Sequence, residues 1–251
     1  MQNSTSRALP MTPPPRVISN PSGRTQVGRP NANTLPPSLA QRLRDLGDYN
    51  VQIQATLNII VFKTSTATNF PLSNWIQDAN TILGQHGMKL DVVQGANGPD
   101  VLNYNGGDVG DRIQVEEIRN AAGALFNASG TPLRCPVVVC TFRASFAREA
   151  VGFTLVDNSQ PDRKVTLPGG GSFLPFCLLD AATAFPTTLL HELGHAAGLE
   201  HPNAGNETQD VMFPVGTTNA NRNKLNGVEV RGLAGAYFSV PRVAPPYKIP
   251  Q

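Results

Sequence analysis

His191, Glu192, His195, Gly198 and His201 lie in one run, Thr188-Leu-Leu-His-Glu-Leu-Gly-His-Ala-Ala-Gly-Leu-Glu-His201, whose residue types and spacing suit a metal ion. Histidines four apart share one face of a helix, one turn from each other. Two imidazoles so placed bind one cation through ring nitrogens at about 2.0–2.1 Å. Glu192 projects from a neighbouring angle and can reach a water on the ion without ligating it. His201 comes only three residues after Gly198, so the helix must stop and the chain must turn sharply to bring it to the same ion. Glycine permits the positive φ of such a turn. The chain holds four histidines, and only His86 falls outside the pattern H-E-x-x-H-x-x-G-x-x-H. Three unrelated core or surface histidines are therefore the poorer account of it. Three neutral histidines leave one position of a tetrahedral zinc open, as in a catalytic site and unlike a closed structural one. Zinc lowers the pKa of a water toward ~7 and polarises a carbonyl. Glu192 is then the expected general base, returning the proton to the leaving amine.

The extended motif resembles that of the metzincin metallopeptidases, whose hallmark also includes a methionine turn beneath the metal. Met212 in Asp210-Val-Met-Phe-Pro214 lies a short loop beyond His201, where that family would place it. Met212-Phe-Pro214 and Leu225-Asn-Gly-Val-Glu-Val-Arg-Gly-Leu233 resemble the matrixins, whereas His201-Pro202 looks more like the serralysins. Serralysins and astacins carry a tyrosine two residues after the methionine, and here that position is Pro214. The resemblance covers residues 50–240, with its specific motifs in 191–214 and, weakly, 225–237.

The resemblance implies an α+β fold, an α/β sandwich. Its twisted mixed sheet would have about five strands, with an active-site helix and a C-terminal helix. It implies a zinc endopeptidase with one catalytic Zn2+, acting on protein or peptide substrates, and an apolar floor under the imidazoles made by Met212. In the family the substrate lies extended along an antiparallel edge strand, which by position falls within Val151–Val156 and so involves Gly152, Phe153 and Thr154. Pro214, Val215 and Gly216 would wall the pocket for the side chain after the cleaved bond. Two departures stand out. Matrixins commonly hold a second zinc with further histidines, and only His86 is left for one. Their latency often depends on a prosegment cysteine, and residues 1–134 contain none.

These residues need elements to carry them. Val51, Ile53, Ala55, Leu57, Ile59 and Val61 alternate with polar residues, which predicts a strand with one buried face at the start of the folded domain. Leu72, Trp75, Ile76, Ala79, Ile82 and Leu83 recur at helical spacing up to Gly84 and Gly87. Strands are expected at 88–93, 136–142, 151–156 and 173–179, and a loop at 94–110. Helices are expected at 112–126, from Pro186 to Ala197, and at 224–237. Gly169–Gly171 falls in a loop, and PRVAPPYKIP closes the chain as a tail.

Residues 1–48 differ from the rest, with eight prolines, no aromatic residue and six arginines against two aspartates. Such a stretch buries too little apolar surface to offset its ordering entropy, so 1–35 reads as disordered or loosely attached, and 1–48 as a tail that serves as a propeptide or an export signal. Within 36–47, Ser38 as N-cap and Leu39, Leu43 and Leu46 on one side suit a short helix.

The 251 residues carry a net charge of +2 with 15% charged residues. No dense Lys/Arg cluster marks a nucleic-acid surface, and no apolar run approaches the ~20 residues of a membrane span. The first residues lack the apolar core of a secretory signal, so export by another route is expected, with cytoplasmic residence the alternative. A monomer is expected. Cys135 and Cys140 would sit on opposite faces of a strand, too far apart for a disulfide; Cys177 could pair with one, but buried strand thiols are the plainer reading. Asn103–Asp111 could hold Ca2+, though a polar turn capping the next helix through Asp111 explains the same residues. Competing functions are an idle zinc-containing peptide-binding module, a protease effector or toxin delivered by the tail, and a zinc hydrolase acting on a non-peptide amide.

Overall fold

The computed structural model describes residues 37–126, 133–147, 150–155, 165–166, 172–201, 209–214 and 222–248. The segment 1–35, Val156, Gly169–Gly171, Val215 and Gly216 lie outside the described residues. In chain order the elements are α1 (Pro37–Leu46), β1 (Ala55–Lys63), α2 (Leu72–Gly84), β2 (Met88–Val93), β3 (Asp100–Val101), α3 (Arg112–Phe126), β4 (Cys135–Cys140), α4 (Ala144–Ala147), β5 (Gly152–Leu155), β6 (Val165–Thr166), β7 (Ser172–Phe173), β8 (Phe176–Asp180), α5 (Thr188–Ala196), α6 (Gly227–Ala234) and β9 (Ser239–Val240).

Short β-branched and apolar runs at 57–62, 137–139 and 177–179 build the middle of one mixed, seven-stranded sheet. Its main path is β2-β1-β4-β8-β5, with β3 and β9 also paired to β1. Strands β2, β1, β4 and β8 run parallel, and β5 returns antiparallel along β8 at the end of the path. Continuous apolar runs are what a strand needs when helices cover both its faces. Leu57, Ile59, Val61, Val137, Val139 and Leu179 pack on one face against Trp75 of α2, Leu189 and Leu193 of α5 and Leu233 of α6. Phe62, Val138, Cys140 and Leu178 pack on the other against Val115, Ile118 and Ala122 of α3. Full burial of each such side chain stabilises by roughly 1.5–3 kcal/mol relative to exposure. This is an α/β sandwich around a mixed sheet.

Several expectations change in detail. Strand β1 is covered on both faces rather than one. Asn58, in a polar slot of the alternation, is 3% exposed, because its Nδ2 donates to Phe238 O at 3.0 Å and β9 runs alongside. The loop at 94–110 contributes β3 to the sheet. In α1 the apolar stripe faces outward: Leu39, Leu43 and Leu46 are exposed, while Ala40 and Asp45 are buried. Asp45 accepts from Arg231 Nε of α6 at 2.7 Å and from Gln41 Nε2 at 2.7 Å, so an ion pair decides which side of the helix packs. The helix begins at Pro37, a residue suited to a first position, and Ser38 sits inside the first turn rather than capping it. This helix belongs to the same compact unit as the sheet.

The last helix starts at Gly227, later than the periodicity suggests. Asn226 fixes that start, since its side chain accepts from Val228 N and Glu229 N while Glu229 answers to the Asn226 N–H. The three thiols are buried and unpaired. Cys135 and Cys140 lie in opposite cores, and Cys135 Sγ stands 4.0 Å from Cys177 Sγ. No helix among the described residues is long and apolar enough to cross a membrane.

Candidate metal centre

Helix α5 carries Leu189, Leu190 and Leu193 into the core at full burial, which leaves His191 and His195 on its other side, lining a cavity of about 400 Å3. After Ala196 the chain leaves the helix through Gly198 at φ +87°, the left-handed region glycine favours, and returns His201 to the same cavity. The three Nε2 atoms form a near-equilateral triangle: 3.2 Å from His191 to His195, 3.1 Å from His191 to His201 and 3.0 Å from His195 to His201.

Those contacts cannot all be hydrogen bonds. His191 Nδ1 lies 2.7 Å from Val211 O and His195 Nδ1 lies 2.8 Å from Leu199 O. A carbonyl only accepts, so both Nδ1 atoms carry the proton and both Nε2 atoms present lone pairs. A proton on His201 Nε2 could serve one of them at most. A tetrahedral ion with ligands at about 2.0–2.1 Å holds its ligand nitrogens roughly 3.3 Å apart, close to the spacing seen. Burial, and then the neighbouring His195, holds His191 well below the usual imidazole range. Burial, helped by His201 and Arg222 and opposed by the hydrogen bond to Leu199 O, brings His195 down to about 4, and burial with Arg222 lowers His201. All three are therefore neutral near pH 7, the form that binds metal. Among the described residues this is the group of His, Cys and acidic side chains able to hold an ion.

Glu192 follows the first histidine into the same cavity and is only 4% exposed. Burial raises its carboxyl to about 7, against the hydrogen bond from Thr154 and the charge of Arg222. Thr154 Oγ1 reaches both Glu192 O at 3.0 Å and Glu192 Oε2 at 2.5 Å. Register places Thr154 opposite Cys177 on β8, so alternation along β5 turns Gly152 and Thr154 toward α5 and Phe153 toward the other core. Gly152 is there for close approach: a Cβ would lie 2.5 Å from Glu192 Oε1 and 2.7 Å from Thr188 Cγ2.

The turn at 210–213 does its work through the backbone as well as through its methionine. Val211 supplies the carbonyl that fixes the His191 tautomer, and Phe213 N closes the turn on Asp210 O at 3.0 Å. Met212 is 1% exposed, and its Sδ sits where a Cβ on Gly194 would be, 2.2 Å away. Helix α6 holds the turn from below. Asn226 N donates to Glu229 Oε2 at 3.0 Å, Asn226 Nδ2 donates to Asp210 Oδ2 at 3.4 Å, and Met212 N donates to the Glu229 carboxylate. Burial, then Asp210, pushes Glu229 up to about 8.

Two members of this assembly escape the motif: Gly194, whose missing side chain admits Met212, and Arg222. Arg222 is 1% exposed and lines the cavity. Its Nη1 donates to Val211 O at 3.2 Å and to Phe213 O at 3.0 Å. Nη1 also stands 2.9 Å from His191 Nδ1, but with that nitrogen protonated both groups are donors converging on Val211 O. Nothing in the sequence sets Arg222 apart from Lys224 two residues later in the same loop. Gly152, Phe153, Thr154 and Pro214 line the cavity as well, while Val215 and Gly216 lie outside the described residues. His86 is buried with Nδ1 2.8 Å from Val51 O, remote in sequence from the triad. In the 103–111 stretch, Asp111 Oδ1 accepts from Gln114 N at 3.0 Å, as a helix cap does.

No protein-family model and no curated protein matches the sequence. Among solved structures the chain is similar to metalloproteinase-II from Bacteroides fragilis, with 18% identity over 74% of this chain and 55% of that one, at a TM-score of 0.47. It is also similar to a chain in a chaperone–substrate complex, with 11% identity over 73% of this chain and 34% of that one, at a TM-score of 0.43. The chain thus spans about half the length of the first and a third of the second.

Proposed function

We propose that this protein is a zinc-dependent endopeptidase, a matrixin-like metzincin, with His191, His195 and His201 as ligands and Glu192 as general base. The observation that carries the reading is the triangle of Nε2 atoms, two of them committed to lone pairs by backbone carbonyls, beside a buried carboxylate. Zinc held there would supply a Lewis acid that polarises the scissile carbonyl and acidifies water.

The chain's own residues do the rest. A carboxyl raised to about 7 by burial is matched to neutral pH, able to accept a proton from the attacking water and give it up to the leaving amine. Thr154 holds one Glu192 oxygen in place, and Gly152 leaves room for the other. Strand β5, at the end of the sheet path and antiparallel to β8, is the strand along which an extended peptide would lie. The cavity beside it takes a side chain flanking the cleaved bond. Met212, packed under α5 at Gly194, keeps the helix carrying two ligands at a fixed height over the turn.

The test compares wild type with Glu192→Ala on casein and a mixed peptide library, with zinc content measured on both. Cleavage by the wild type that a chelator abolishes, with an inactive mutant still holding about one zinc per chain, is the expected result. Zinc in both proteins and cleavage by neither, also from residue 37 onward with α1 kept, would leave a binding module in place of an enzyme.

A further inference from the structure

Arg222 is a permanent cation placed inside the cavity without a carboxylate partner. Among the described residues it forms no ion pair, Nη1 alone donates hydrogen bonds, and Nε is buried with no partner. Nη1 holds the turn, and the guanidinium lines the cavity beside Glu192 and the imidazoles, where its charge acts on a bound group. Among the described residues that line the cavity no other carries a positive charge: they are neutral or belong to the centre itself. Glu192, the carboxylate that acts on Arg222, is held toward β5 by Thr154, while Arg222 is held against the turn. A buried guanidinium lacking its usual counter-charge is costly for a fold unless a ligand completes it.

Resting on the peptidase reading, we infer that Arg222 makes this cavity selective for a carboxylate, so that the enzyme cleaves before glutamate in preference to neutral or basic residues.

The experiment uses quenched fluorogenic peptides differing only in Glu, Gln, Leu or Lys after the scissile bond, with the full zinc-loaded chain. A charge-assisted contact predicts a Glu-over-Gln advantage of roughly tenfold to a hundredfold in kcat/KM, expressed mainly in KM. In Arg222→Gln, which loses the charge, the advantage should fall to within about twofold. Equal rates for Glu and Gln in the wild type, or an advantage that survives in Arg222→Gln, overturn the inference. If Arg222→Gln does not fold, the wild-type ratio decides alone, since Gln matches Glu in shape and differs in charge. The same peptides are also titrated by fluorescence anisotropy against zinc-loaded Glu192→Ala. If the wild type cleaves none of them, the peptidase reading has failed. The anisotropy ratio then judges Arg222 by itself, with tighter Glu binding supporting the carboxylate site and equal binding ending it.

Discussion

Two buried glutamates stand on adjacent helices of this protein, Glu192 on α5 and Glu229 on α6, each 4% exposed and each raised by burial, to about 7 and about 8. Their partners differ. Glu229 accepts from two backbone N–H groups, Asn226 and Met212, and so knots the start of α6 to the turn. Glu192 has a threonine hydroxyl as its side-chain partner, beside a glycine, and borders an open cavity. A raised carboxyl by itself is therefore no sign of catalysis. What separates the two is whether the group is sealed by backbone donors or left facing a space that a substrate can fill.

That distinction is broken most directly at Glu192. Glu192→Gln should lower kcat/KM by roughly 10²–10⁴-fold with retained zinc, as expected for loss of a general base, while its urea midpoint stays near that of the wild type. Glu229→Gln should leave kcat/KM within a few-fold. If the two substitutions cost similar activity, the sealed and open sites do not differ in role. Gly152→Ala comes next. Its Cβ would fall 2.5 Å from Glu192 Oε1, so the carboxylate must shift, and a misplacement of about 1 Å can cost on the order of a hundredfold. The same change added to Glu192→Gln should cost almost nothing further, because both act on one group. Steady-state kinetics on the four proteins read this directly.

The two regions were also unequally legible. Ligand spacing, the helix that bears it and the glycine turn all lie within eleven residues, so local geometry writes them into the sequence. The apolar runs of β4 and β8 likewise announce themselves, since strands covered on both faces need little else. Glu229, Asp210 and Arg222 depend on partners brought from other elements, and no periodicity marks a polar residue as buried. The outward stripe on α1 is the same lesson reversed. Leu39, Leu43 and Leu46 correctly indicate a helix, but the pairing of Asp45 with Arg231, 186 residues away, decides which side packs. Gly194, and the reason for a glycine at 152, were hidden for a related reason. A missing side chain carries meaning only when the atom that replaces it, Met212 Sδ or Glu192 Oε1, is known.

The sealed glutamate predicts a smaller effect on stability. Glu229→Ala removes the acceptor for two backbone N–H groups in a buried setting and should destabilise the fold by about 1–3 kcal/mol in urea titrations. Removing the carboxylate while keeping an acceptor, in Glu229→Gln, should cost far less.

The pH dependence of stability separates those two components. In the folded protein Glu229 keeps its proton up to about 8, because burial and then Asp210 oppose its charge while the N–H groups of Asn226 and Met212 favour it. In the unfolded chain a glutamate loses its proton near 4.3. Between these values the native state binds more protons than the unfolded one, so stability falls as pH rises, by at most about 1.4 kcal/mol per unit from this group. The contribution is fully present below about 4.3 and gone above about 8; it would have the opposite sign for a carboxylate stabilised in its charged form. Urea midpoints at pH 5, 6, 7 and 8 should therefore decline more steeply in the wild type than in Glu229→Gln, which has nothing to titrate. Parallel declines would mean that the backbone donors hold Glu229 charged after all, and that the open and sealed carboxyls differ in proton affinity as well as in access.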